Sequence, residues 1–290
     1  MRALGCIAVA FVFTVWLLSA CGPDLERQSQ LERVRVLAVR ADPAEIVFDP
    51  QGSVPPAPVR LTSLTYAPDG GPEVTYALCR PGANVYAQDV QCPGADGLTL
   101  DGGVVDVGDP SVRALLAADG GVPLTDPSFQ PQLARGIQLN VGYLATDGTP
   151  GDRGVERGVY QLSLRATEAP NHNPQLVQIF VGTNQAQPLQ GARLPLKTKV
   201  TFTPSLAPGS VETYVDAAGQ TQTELLVYSW FATGQGKVED FRSQEPFNGL
   251  GKRESDYTTA SVPEVVTLYV VVRDGRGGTD WIVRSFSVGP

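Results

Sequence analysis

The stretch "VVTLYVVVRDGRGGTDWIVRSFSV", residues 265–288, constrains the fold more than any other part of the chain. Val266, Leu268, Val270 and Val272 recur at every second position, with Thr267, Tyr269, Val271 and Arg273 between them. A period of two sets the first group on one side of a pleated strand and the second on the other, whereas a helix would scatter both. The "DGRGG" at 274–278 supplies the glycines that a hairpin loop needs where φ turns positive. "TDWIVRSFSV" (279–288) then reads as the returning strand.

The same grammar runs through the chain. "RVRVLAVRADP" (33–43) places Val34, Val36 and Ala38 on one face and arginines on the other. Further strands are predicted at 59–66, 73–79, 136–146, 157–166, 175–182, 196–205 and 223–233. The clusters "DPQGSVPPAP" (49–58) and "PDGG" (68–71) punctuate them as turns. Between Arg80 and Arg135 the alternation loosens into Gly, Asp and Pro, so 80–135 reads as an insertion. One helix is predicted inside it, with Asp109 as N-cap, Pro110 at the first helical position and "SVRALLAA" as its body. "TNQAQPLQGAR" has no apolar period, and 184–193 is taken as a linker. Many short strands, almost no helix and Gly/Pro turns define an all-β chain of two tandem immunoglobulin-like β-sandwiches, at 33–183 and 194–290.

"VYSWFATGQGKVED" followed by "VTLYVVVRDGRGGTDW", together within 225–288, resembles the polycystic-kidney-disease (PKD) type of immunoglobulin-like domain. That family carries an aromatic strand before a Gly-rich turn and ends in a V-x-L-x-V-x-D strand with a Gly hairpin. Its usual W-x-F-G-D-G is replaced here by Trp230-Phe231-Ala232-Thr233-Gly234. The resemblance implies a binding-type sandwich.

The start of the chain sets location. Arg2 is the only charged side chain before Cys21, and "CIAVAFVFTVWLL" is an apolar run, short for a span that needs about 20 residues. Leu18-Ser19-Ala20-Cys21 resembles the bacterial lipobox. The resemblance implies that residues 1–20 are a cleaved signal peptide, that Cys21 carries a diacylglycerol and an acylated amino group, and that 21–32 is a tether. Three acyl chains would hold the protein on the membrane effectively permanently, since each buried CH₂ contributes about 0.8 kcal/mol. Gly22 stands where inner-membrane lipoproteins of enterobacterial relatives carry aspartate, so the outer membrane is expected, on its periplasmic or its external face.

Removing 1–20 leaves 21 basic against 30 acidic side chains, a net charge of −9. That balance argues against nucleic acid as partner, because phosphate binding needs clustered Lys and Arg. With Cys6 discarded and Cys21 acylated, Cys79 and Cys92 remain as an even pair in an oxidising compartment. A disulfide is expected, and metal ligation is the rival, with only His172 to join them.

Catalytic motifs are missing from the sequence. His172, the single histidine, sits in a turn-like "APNHNPQ", and no G-x-S-x-G elbow occurs. "NGLGKRES" lacks the first glycine and the Ser/Thr of a phosphate loop. Glu239-Asp240 is an acid pair of the kind that solubilises strand ends. "DGGVVDVGDP" (101–110) and "DGTPGDRG" (147–154) hold several oxygens but not the spacing of a calcium loop, and structural calcium is a minor alternative to no cofactor at all. Trp230 is assigned to the core, while Trp281, Tyr269, Tyr257 and Tyr86 are the aromatics expected to face a ligand. The expected function is non-catalytic: adhesion, assembly or scaffolding through an envelope or cell-surface protein. A carbohydrate-binding envelope protein is the alternative, and an unrecognised hydrolase a third reading.

Overall fold

A computed structural model describes residues 28–48, 56–80, 92, 97–117, 130–167, 169–182, 187–216 and 218–290. The chain forms two mainly antiparallel β-sandwiches in succession, and every strand predicted above is present.

In the first sandwich, one sheet runs Arg35–Asp42, Val59–Tyr66, Val104–Val105. It faces a five-stranded sheet ordered Ile46–Phe48, Val155–Ala166, Ile137–Thr146, Glu73–Cys79, Gly97–Leu100. Ile46–Phe48 lies parallel to its neighbour, and the other pairings are antiparallel. The core between the sheets is aliphatic, built on Ile46, Val59, Leu61, Leu78, Val141, Leu162 and Leu164, with Tyr76. Within the insertion, the helix Pro110–Leu116 forms as expected: Asp109 accepts the Ser111 N–H at 2.6 Å, and Val112 turns into the core. A second short helix, Gln130–Arg135, is an addition to the sequence reading; its Leu133 is fully buried.

The second sandwich has two five-stranded sheets. One is ordered Gln187–Pro188, Leu176–Val181, Lys199–Leu206, Ser255–Thr258, Lys237–Val238. The other runs Arg193–Leu194, Thr279–Val288, Glu264–Arg273, Val227–Ala232, Arg242–Gln244. A separate hairpin pairs Thr213–Val215 with Thr221–Thr223. Val266, Leu268, Val270 and Val272 all point into this core at 0% exposure, as the period of two requires. They pack around Phe202, Tyr228, Trp230, Tyr257 and Phe286.

Two expectations are corrected. The strand at 175–182 was expected to close the first sandwich, but Leu176–Val181 pairs with Lys199–Leu206 and buries Ile179 and Val181 in the second core. The stretch 184–193, expected to be a linker, pairs through Gln187–Pro188 with that strand and fully buries Leu189, so the crossing between sandwiches comes before Leu176, with 169–175 described. Alternation identifies a strand without naming its partner, which is why the boundary moved.

A further correction is local. Val34, Val36 and Ala38 do not share a face, because the register between Arg35–Asp42 and Val59–Tyr66 slips between Val36 and Ala38. A bulge re-aims the residues after it. Leu37 and Ala38 are both buried on one side, toward the second sandwich, while Val39 and Ala41 enter the first core.

Candidate functional site

The bulge exposes what joins the sandwiches. Leu37, Ala38 and Leu64 from the first unit form one apolar cluster with Phe231 and Val271 from the second, flanked by Tyr66, Phe241, Tyr269 and Trp281, and Leu31, expected to lie in the tether 21–32, is buried in the same cluster. Val271 belongs to the outward face of the Glu264–Arg273 strand, yet it is 0% exposed. The outer face of one sandwich is therefore the floor of a seam.

Polar groups finish the seam. The Asp274 carboxylate, at the start of the D-G-R-G-G loop, is buried. Its Oδ1 accepts the N–H groups of Arg276, Gly277 and Gly278 at 2.7, 3.0 and 2.9 Å. Its Oδ2 accepts Asn171 Nδ2 at 2.9 Å, and the Asn171 N–H is in turn donated to Glu45 Oε1 at 2.7 Å. Burial pushes the Asp274 carboxyl above its ordinary value. Asn173, two residues on, donates to the Ala41 carbonyl and accepts from the Thr279 N–H, both at 2.8 Å. The crossing segment is thus stapled to both units by a pair of asparagines. On the far side of the loop, Arg276 pairs with Glu224 at 2.8 Å and Glu212 at 3.3 Å and lies over the Tyr214 ring.

The predicted aromatics fall into different places. Trp281 lies in the seam with the Arg40 guanidinium 4.9 Å from its ring centre, and Arg40 bonds Asp280 at 2.9 Å. Tyr269 meets Tyr66 edge-on across the same seam. Tyr257 is fully buried between Phe202 and Phe286, so the expectation that it faces a ligand is overturned. Trp230 is in the core as assigned and donates its Nε1–H to Ser243 at 2.7 Å. Tyr86, Cys21 and the whole of 1–27 lie outside the described residues. Tyr269 and Trp281 thus lie half-buried at the edge of the seam between the two units.

Cys79 and Cys92 form a disulfide, with Cα atoms 4.9 Å apart. A Cβ at Gly142 would meet the Cys92 sulfur at 3.3 Å, so a bare backbone in the neighbouring strand leaves room for the bridge. His172 is exposed and bonds Glu212 at 2.6 Å. Asp106 and Asp147, from the two Asp/Gly loops considered for calcium, each accept a backbone N–H two residues on. Glu239 pairs with Lys237, and Asp240 with Lys252 at 2.6 Å. Among the described residues, no group of three or more His, Cys, Asp or Glu side chains is placed to hold a metal ion. No helix among them is long and apolar enough to cross a membrane.

Neither the asparagines of the crossing segment nor the Asp274 nest belongs to a motif that the sequence marks out. The signal for them in "APNHNPQ" is the pair of asparagines itself, since Asn and Asp beside turns are the side chains that most readily bond backbone groups.

No protein-family model matches the chain, and no curated protein matches it. Solved structures with some likeness include mouse cadherin-23 EC22-24, at 14% identity over 86% of this chain and 63% of that one, with a TM-score of 0.19. The dimeric latent PorU of Porphyromonas gingivalis is similar at 11% identity over 89% of this chain and 24% of that one, with a TM-score of 0.23. The E. coli alpha-2-macroglobulin is similar at 10% identity over 93% and 17%, also at 0.23. The chain spans less than two thirds of the length of each of these. The immunoglobulin-like fold accordingly stands on the chain's own paired sheets and buried cores.

Proposed function

We propose that this protein is an outer-membrane lipoprotein, acylated at Cys21, whose two sandwiches act as one non-catalytic scaffold or adhesion module for another envelope protein. The observation that carries this reading is the seam. Two binding-type domains joined by a buried apolar cluster and a nest of charge-assisted hydrogen bonds present their outer loops in a fixed relation to each other. Independently mobile domains would lose orientational entropy on meeting a partner, and a welded pair does not. Fold alone does not give function, so the reading rests on this rigidity and on the lipobox residues Leu18-Ser19-Ala20-Cys21.

Two measurements test it. Labelled palmitate is expected to enter the native chain and to be lost in Cys21→Ser, with release from the membrane fraction; continued labelling of the variant would refute the anchor. Photo-crosslinking from exposed positions such as Val265 and Leu250, in the native envelope, is expected to give a discrete protein adduct. Adducts to polysaccharide alone would replace the scaffold reading with the carbohydrate-binding one.

A further inference from the structure

On the side of the D-G-R-G-G loop away from Arg276, between the two sandwiches, lies a cavity of about 310 Å³. Val36, Val39, Val159, Tyr143 and Tyr160 line it from the first unit, and Arg273 from the second. Its polar groups do not balance. Arg273 donates Nη2–H to the Leu37 carbonyl at 2.9 Å and Nη1–H to Ser229 Oγ at 3.3 Å, and no carboxylate among the described residues pairs with it. A guanidinium carries five N–H donors, and these two bonds engage two of them. Burial, with the like charge of Arg242, pulls the Arg273 pKa down, the mark of a cation taken from water without a counter-ion.

The carboxylates nearby are engaged elsewhere. Asp274 is turned into its own loop, Asp280 bonds Arg40 and the Leu176 N–H, and Glu156 accepts the Val36 N–H and faces Arg35. The Tyr160 hydroxyl donates to the Gly277 carbonyl at 3.2 Å. The Tyr143 hydroxyl, by contrast, has no hydrogen-bond partner among the described residues, and burial pushes its pKa up to about 12, so it stays a donor at neutral pH. Its ring lies over Gly158, where a Cβ would fall 2.1 Å from the hydroxyl oxygen; the glycine opposite is what lets Tyr143 occupy this place.

We propose that this cavity is a receptor for a small organic carboxylate. The carboxylate group would take Arg273 N–H groups and the Tyr143 O–H, and its apolar body would lie against Val36, Val39 and Val159. A planar fork of donors suits a carboxylate, and a volume at the small end of ligand cavities suits one ring or a short chain. The proposal goes beyond the scaffold reading and does not depend on the anchor, so Cys21→Ser leaves it untouched.

The test uses the full chain in detergent, with sodium benzoate, acetate and succinate as probes and benzamide and sodium chloride as controls at matched concentration and ionic strength. Calorimetric titration is expected to give saturable one-site binding for at least one carboxylate, with a rise in the unfolding midpoint that benzamide and chloride do not reproduce. Arg273→Gln is expected to weaken that affinity about tenfold or more. Because this variant also loses the bond to Leu37, Tyr143→Phe is the second arm, with its fold checked by near-ultraviolet circular dichroism and its affinity expected to fall about threefold or more. Equal responses to benzoate and benzamide, or no saturable response to any of the three carboxylates, would overturn the proposal. So would unchanged affinity in folded Tyr143→Phe, or inorganic phosphate saturating the site while the carboxylates do not.

Discussion

The two sandwiches solve one problem by different means. The first packs aliphatic side chains, with Tyr76 the one aromatic among the described residues buried in its cluster, and adds a covalent bridge between Cys79 and Cys92. The second follows the last cysteine of the chain and has no bridge. Its core instead holds Phe202, Tyr257 and Phe286 in mutual contact, with ring centres 5.5 to 5.6 Å apart, and Tyr228 tilted against Trp230. Aliphatic cores tolerate repacking, whereas stacked and edge-on rings fix direction and bury more area per residue. Where ring geometry is scarce, a cross-link constrains the chain; where it is abundant, none is needed.

The comparison breaks first at Trp230. Trp230→Ala removes the largest buried side chain of the second sandwich and leaves Ser243 without its indole partner, at an expected cost of about 4 kcal/mol. Because the seam couples the units, the denaturation curve should move as a single transition followed alike by fluorescence and circular dichroism. A split curve would mean that the sandwiches unfold separately. The counterpart in the first unit is the double change Cys79→Ala, Cys92→Ala, expected to cost about 3 kcal/mol for a loop of this length. The same loss is expected on reduction of the native chain, with a matching mass shift on alkylation.

A smaller effect tests the joint rather than either core. Trp281→Ala strips Arg40 of its ring and opens the seam, for about 1–2 kcal/mol. Its signature is a broadened or biphasic transition, with the two cores intact. The smallest effect is in pH. The Asp274 and Glu224 carboxyls are both raised by burial, so their protonated forms are favoured in the folded chain. The stability they contribute is full below their ordinary values of 3.8 and 4.5 and is lost as pH rises through the raised ones. Asp256, on the Ser255–Thr258 strand, runs the other way. Against a desolvation that pushes it up, bonds from Thr201 and Lys199 and the charge of Lys252 hold it below the usual range, so its contribution fades on acidification. The native chain should therefore gain stability relative to Asp274→Asn as pH falls toward 4, and lose it relative to Asp256→Asn below that; midpoints of the three proteins across pH 3–7 check both signs.

Strand identity was legible because side-chain alternation is a local property. Val266 to Val272 announce their own pleat, and Asp109-Pro110 announces a helix start, without reference to anything distant. Pairing is not local, which is why Leu176–Val181 could be recognised as a strand and still be placed in the wrong sandwich. The seam was hidden for a related reason. Tyr269 and Trp281 read as aromatics facing a ligand and Val271 as a member of the face opposite Val266 to Val272, since sequence shows that a face exists but not that a neighbour covers it. Short strands such as Lys237–Val238 and Val104–Val105 carry too few residues for any period to register. The bulge at Val36–Ala38 shifts a period by one residue, and nothing in "RVRVLAVRADP" marks it.

One contact near the start of the described chain has a mechanical meaning. Gln30 forms a parallel bridge to Ala232, with the Leu31 N–H donated to the Ala232 carbonyl and the Ala232 N–H to the Ser29 carbonyl. The chain therefore touches the second sandwich before it builds the first. A pull applied from residue 28 loads those two bonds in shear, along the strand direction, and passes into both units at once. Order along the sequence is not order along the line of force, and the first sandwich is not a spring placed between the N-terminal side and the second.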